Sequence, residues 1–115
     1  NDPQENIVYI SAHDNETLFD ISQYKHPLAT STADRARAQN VGIDITALAQ
    51  GVNFFHTGVD MLRSKSMDRD SYNSGDWFNQ LDFTYETNNW GAGLPPAESN
   101  QGTSEFAMNC SPAAK

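Results

Sequence analysis

An α/β fold with a parallel sheet is predicted by two short β-rich apolar runs, an amphipathic segment between them, and a connection long enough for a crossover helix. The first run is Ile7-Val8-Tyr9-Ile10-Ser11. Its apolar character is continuous rather than alternating, as in a strand covered on both faces. The polar group His13-Asp14-Asn15 follows, and a short helical turn is expected over residues 16–21. Residues 24–30 read as a loop broken by Pro27. Ser31 or Thr32 then caps a helix, with Asp34 adding negative charge to its first turn. Ala38, Val41, Ile45 and Leu48 recur at helical spacing and define its apolar face. Gly51 stands where a C-terminal cap belongs. Val52-Asn53-Phe54-Phe55-His56 is the second run, with both phenylalanines read as core and His56 as structural.

Beyond Gly58 the pattern changes. Met61-Leu62 begins at most a short helix, and residues 64–105 are rich in Ser, Asp, Asn and Gly with aromatics interspersed. A loop of that length is functional or disordered.

The bulk properties narrow the partners. A chain of 115 residues with 37% hydrophobic content and a mean hydropathy of -0.64 supports one small domain with a marginal core. Seven Lys and Arg against 15 Asp and Glu give a net charge of -8, which argues against nucleic acid. A neutral ligand such as a sugar is compatible with it. No run approaches the ~20 apolar residues of a membrane helix, and Asn1-Asp2-Pro3-Gln4 has no leader pattern. Cys110 is the single cysteine, so no internal disulfide forms.

Functional groups of parallel α/β folds sit at the carboxyl ends of strands. His13 and Asp14 lie there, but on position alone the favoured reading is a loop that happens to hold a His and an Asp and caps the next helix. The wider segment Val8-Tyr9-Ile10-Ser11-Ala12-His13-Asp14-Asn15-Glu16-Thr17-Leu18 resembles the strand-seven motif of glycoside hydrolase family 13, the α-amylase family. The resemblance implies that His13 contacts the sugar ring being cleaved and that Asp14 is the carboxylate stabilising the transition state. Hydrogen bonds to sugar hydroxyls do strengthen as an oxocarbenium-like state forms.

Gly51-Val52-Asn53-Phe54-Phe55-His56-Thr57-Gly58-Val59-Asp60 resembles the strand-eight motif of that family. It departs at Asn53, where the family has Pro, and at Val59-Asp60, where it has an acidic pair. The segment Leu62-Arg63-Ser64-Lys65-Ser66-Met67-Asp68-Arg69-Asp70-Ser71-Tyr72-Asn73-Ser74-Gly75-Asp76-Trp77-Phe78-Asn79 is similar to one typical of pullulanases and limit dextrinases, the starch-debranching members. So is its continuation to Pro96. The resemblance covers residues 3–96 and implies a partial (β/α)8 TIM barrel: about the last two strands, one connecting helix and a long substrate-side loop. Residues 1–96 are then the barrel portion and 97–115 a poorly ordered tail.

By the same resemblance the parent hydrolyses α-1,6-glucosidic linkages in pullulan, amylopectin and limit dextrins, with retention and with no cofactor required. Its partners are the α-glucan and the remainder of the barrel. The nucleophile and general acid belong to strands four and five, absent here, so the isolated chain is expected to be inactive. Analogy alone gives its localisation: extracellular or cell-surface for bacterial relatives, plastid for plant ones. Arg63 and Asp70 correspond to a pair contacting glucose units. Asp76, Trp77 and Tyr72 are further substrate-binding candidates, because carboxylates pair with vicinal hydroxyls and aromatic rings cover sugar C–H faces.

Asp68, Arg69 and Asp76 read equally as loop ion pairs or turn caps, and Lys65 as a solvated charge. Asp68-x-Asp70 begins like a calcium loop, but Asn73 and Asn79 occupy the positions that need Gly and Glu, so no metal ligand is assigned, and calcium is left as a possibility for the parent. Asn15-Glu16-Thr17 and Asn109-Cys110-Ser111 are formal glycosylation sequons treated as accidental. The competing class is a non-catalytic glucan-binding or relic piece, centred on Trp77, Trp90 and Tyr72.

Overall fold

The computed structural model describes residues 2–100. Cys110, the sequon at Asn109 and most of the proposed tail lie outside them. A 3-10 turn at Pro3–Glu5 leads into strand β1, Ile7–Val8. Helices α1, Leu18–Lys25, and α2, Thr32–Leu48, follow, and strand β2 is Val52–Asn53. The remainder is irregular apart from 3-10 turns at Val59–Met61 and Ser71–Asn73 and a short helix α3, Asp76–Asn79.

β1 and β2 pair in parallel, with Ile7 opposite Val52 and Val8 opposite Asn53. The ladder is closed by Val52 N–H to the Asn6 carbonyl and Phe54 N–H to that of Val8, both at 2.9 Å. Both strands are shorter than the apolar runs that predict them. Neither is buried: Ile7, Tyr9, Ile10, Val52, Phe54 and Phe55 are all exposed. The two phenylalanines expected in the core therefore stand outside it. Among the described residues each strand has only the other as neighbour, so one edge and much of each face meet solvent.

α1 and α2 each begin at a hydroxyl. Thr17 Oγ1 accepts from Asp20 N–H at 3.1 Å, and Ser31 Oγ accepts from Asp34 N–H at the same distance. These bonds satisfy donors that the first turn leaves free. α1 runs four residues past the predicted turn, and its C-cap His26 precedes Pro27. Arg35 of α2 ties the helices together by donating to the carbonyls of Ser22, Pro27 and Thr30 at 2.8, 2.9 and 3.2 Å.

The buried stripe of α2 is Gln39, Gly42 and Thr46 rather than the predicted apolar face. Ile45 is 64% and Leu48 86% exposed, and Val41 is exposed as well. The small residue explains the choice. A Cβ on Gly42 would lie 2.6 Å from Ile10 Cδ1, so glycine there lets the Ile10 side chain, just beyond β1, rest on the helix without shifting. Gly51 is likewise not the helix cap, which is Ala49. It sits at φ +119°, where a Cβ would meet the Asn6 carbonyl oxygen at 2.6 Å. It lets β2 begin against the chain at β1.

The buried apolar residues are Val59, Met67 and Phe78, and the rest of the interior is polar: Thr17, Asp20, Ser64, Lys65, Asp68 and Asn100 are almost wholly enclosed. Ordered contacts therefore continue past Pro96 to Asn100. None of the described helices is long and apolar enough to cross a membrane.

Candidate functional site

The site is assembled where β1 and β2 end. Ser11 is buried there, and its Oγ accepts from Leu18 N–H at 3.4 Å and lies 3.3 Å from His56 Nδ1. His56 Nε2 is 3.0 Å from Arg63 Nη1. A guanidinium only donates, so Nε2 must accept and the ring proton sits on Nδ1, directed at Ser11. Burial, and after it the charge of Arg63, pushes the imidazole down to about 4, so it is neutral at pH 7. His56 links both strand ends to the next segment.

That segment is sharply turned. Gly58, at φ +89°, accepts from Met61 and Arg63 N–H, both at 3.0 Å. Leu62, Ser66 and Met67 have φ of 58°, 51° and 69°, a left-handed conformation that costs non-glycine residues about 1–2 kcal/mol each. The Asp20 carboxylate holds the turn in place. Oδ1 accepts from Ser64 Oγ at 2.6 Å, while Oδ2 accepts from Lys65 and Met67 N–H at 2.8 and 3.3 Å. Burial raises the Asp20 pKa, opposed first by the bond from Ser64 and then by those from the backbone.

Lys65 corrects its expectation as a solvated charge. It is fully enclosed, and its Nζ donates to the His13 carbonyl at 2.6 Å. Burial lowers its pKa against the pull of Asp68 and Asp20. Arg69 grips the neighbouring loop. Its carbonyl accepts from Asn15 N–H at 3.0 Å, and its side chain reaches Asn15 Oδ1 at 3.3 Å and Glu16 Oε1 at 3.4 Å. Glu16 also accepts from Tyr24 O–H at 2.8 Å, and burial with that bond pushes the phenol up to about 12.

His13 and Asp14 project from this framework, 3.6 Å apart, with side chains 88% and 82% exposed. They line an open cavity of about 390 Å³ with Ser11, Glu16 and Leu18. Arg63 lies on the other side of His56 and spends its guanidinium on the protein, donating to the Thr57 and Asn79 carbonyls at 3.0 and 3.4 Å. It lines a separate small cavity with Leu81, Asp82 and Asn88.

Asp70 is exposed, and its N–H donates to Asp68 Oδ1 at 2.9 Å. Asp76 opens α3, while Tyr72 and Trp77 stand in solvent. Trp90 packs edge-on to Phe19, ring centres 5.6 Å apart. The structure thus brings His13 and Asp14 together, and couples them to Arg63 through Lys65 and His56. Asp70, Tyr72, Asp76 and Trp77 are on the same loop without described contacts to the pair. No group of three metal-ligating side chains occurs among the described residues.

Sequence reasoning missed Asp20, Lys65 and the Glu16–Arg69 pair. Asp20 sits three residues after Thr17, a spacing that reads as capping, and nothing local says that its carboxylate points at residues 64–67.

No family model matches the chain. Over 99 residues, 86% of the chain, it is 59% identical to the chloroplastic pullulanase 1 of Arabidopsis thaliana, of which it covers 10%. Over 94 residues it is 46% identical to a pullulanase of Klebsiella pneumoniae, covering 82% of this chain and 9% of that one. The crystal structure of apo pullulanase from Klebsiella pneumoniae superposes with a TM-score of 0.90 at 38% identity, over 99% of this chain and 12% of that chain. The same enzyme complexed with maltotriose gives the same score, identity and coverage of this chain. The chain spans about a tenth of the length of these relatives.

Proposed function

We propose that this chain is a segment of a pullulanase-type debranching enzyme, from the C-terminal part of its (β/α)8 catalytic barrel. The observation that carries the reading is the 59% identity to a plant pullulanase over 86% of the chain. β1 and β2 are then the last two barrel strands, α2 is the connecting helix, and the chain beyond Gly58 is the substrate-side loop. The parallel pairing and the helical crossover support this placement. The remainder of the barrel would cover Ile7, Phe54, Ile45 and Leu48.

The parent hydrolyses α-1,6-glucosidic linkages in branched α-glucans by a retaining mechanism. Asp14 accepts hydrogen bonds from hydroxyls of the sugar being cleaved, and His13 adds another contact. Both are free to do so, since their side chains face an open cavity. Their bonds tighten as charge develops on the ring, which is how they lower the barrier. Arg63, Asp70, Tyr72, Asp76 and Trp77 line the approach for neighbouring glucose units.

The nucleophile and general acid are supplied by other parts of the barrel, so the 115-residue chain alone is expected to give no turnover. Purified chain and full-length protein are assayed for new reducing ends on pullulan. Activity confined to the full-length protein is the expected result. Turnover by the chain alone, or none by either, overturns the reading. The exposed rings of Tyr72 and Trp77 favour a second reading, glucan binding without chemistry. It predicts retention of the chain on a pullulan column and an inactive full-length protein.

A further inference from the structure

Both peptide units that flank Asp14 are held by a single segment, residues 65–69, buried except at Arg69. The unit before it carries the His13 carbonyl, which accepts from Lys65 Nζ at 2.6 Å. The unit after it carries the Asn15 N–H, which donates to the Arg69 carbonyl at 3.0 Å. Peptide units are planar, so fixing one polar atom in each restricts both rotations about the Asp14 Cα. The side chains of His13 and Asp14 are themselves in solvent and contribute little to holding the loop. Lys65 has no exposed surface, so it reaches no ligand directly. The segment that bears it is secured in turn by Asp20, through Ser64 Oγ and the N–H groups of Lys65 and Met67.

We infer that Lys65 is a positioning residue for Asp14: its enclosed ammonium draws the His13 carbonyl inward and so sets the direction in which the next carboxylate leaves the strand end. The inference rests on the proposed reading of Asp14 as a carboxylate that acts on the sugar. Asp20 supports it from α1, because its carboxylate accepts from the N–H groups of Lys65 and Met67 and so helps offset the cost of the left-handed turn at Ser66 and Met67, beside the bonds that Ser66 makes to Ser64, Asn89 and Ala92.

The test uses the full-length protein with Lys65→Met, which keeps the length of the side chain and removes the donor. Misplacing a reacting group by about 1 Å costs up to ~100-fold in rate, so kcat on pullulan is expected to fall at least tenfold, with KM within about twofold. Amide exchange at Asn15 is expected to accelerate at least tenfold while α2 keeps its rate. A folded variant with unchanged kcat and unchanged Asn15 exchange overturns the inference, as does acceleration spread evenly over α2. If Lys65→Met fails to fold, Lys65→Gln takes its place. Its donor is one bond shorter and cannot hold the His13 carbonyl where Lys65 does, so a folded Lys65→Gln variant with kcat and Asn15 exchange within experimental error of the wild type then overturns the inference. If the wild type does not hydrolyse pullulan, the functional reading fails separately, and Asn15 exchange alone decides the positioning role.

Discussion

Ile45 and Leu48 of α2, with Ile7 and Phe54 of the strands, stand in solvent, whereas Ser64, Lys65 and Asp68 are sealed from it. Burial of an aliphatic side chain is worth about 1.5–3 kcal/mol, and the first region leaves that gain unrealised within this chain. The second gives up hydration of two charges and several backbone groups, and recovers it through bonds of 2.6 to 3.3 Å to Asp20 and His13 and those that Asp68 accepts from Asp70 N–H and Asn100 at 2.9 and 3.1 Å. The difference teaches where each part finds its partners. The polar centre finds its partners within its own chain, Asp68 Oδ2 excepted, which is buried without a hydrogen bond. The apolar strand and helix faces do not, although their residue types are those of an interior.

The largest effect that sharpens the contrast is expected at Asp20. Asp20→Ala removes the acceptor of three donors and a counter-charge for buried Lys65. The expected loss is about 3–4 kcal/mol, measured by urea unfolding of the chain. Loss below 1 kcal/mol would mean that the polar centre is not what holds this chain together.

How much of this was legible depends on the range of the interaction. Ser31 as a cap, the helix of Thr32–Leu48 and the parallel sense of the strands follow from patterns within a few turns of chain, whereas Thr17, the cap of α1, reads as part of the turn itself. The buried face of α2 did not follow, because the apolar count outvoted a single glycine, Gly42, whose value lies in contact with Ile10 over thirty residues earlier. The site divides the same way. His13 and Asp14 are marked by the run of residues 8–18 around them, which resembles a known motif, and not by position alone. Asp20 and Lys65 are not, since their bonds cross more than forty residues and carry no local spacing.

A smaller effect tests the joint between the two regions, His56. Its folded pKa of about 4 lies below the ordinary 6.5, so between these values the unfolded chain binds the extra proton. The stability it supports is complete above pH 6.5 and is lost as pH falls toward 4. The ring is only half-buried, so solvent screening reduces the loss to about 1–2 kcal/mol. Proton NMR of the His56 ring should titrate near 4, and a midpoint at 6.5 would break the chain of bonds from Ser11 to Arg63.

The smallest expected effect is the most direct on the apolar side. Ile45→Lys places a charge on a face that is already 64% exposed, so the chain itself should change by no more than about 0.5 kcal/mol in urea unfolding. In the full-length protein the same substitution would bury that charge against the rest of the barrel, and a loss of about 2 kcal/mol or more is expected, read as a lowered thermal midpoint. The two measurements together assign the face. A large loss in the chain alone would show that copies of it already cover α2 for one another. A negligible loss in both would show that Ile45 and Leu48 face water in the parent as well, and the placement of α2 as a connecting helix packed within a barrel would have to be given up.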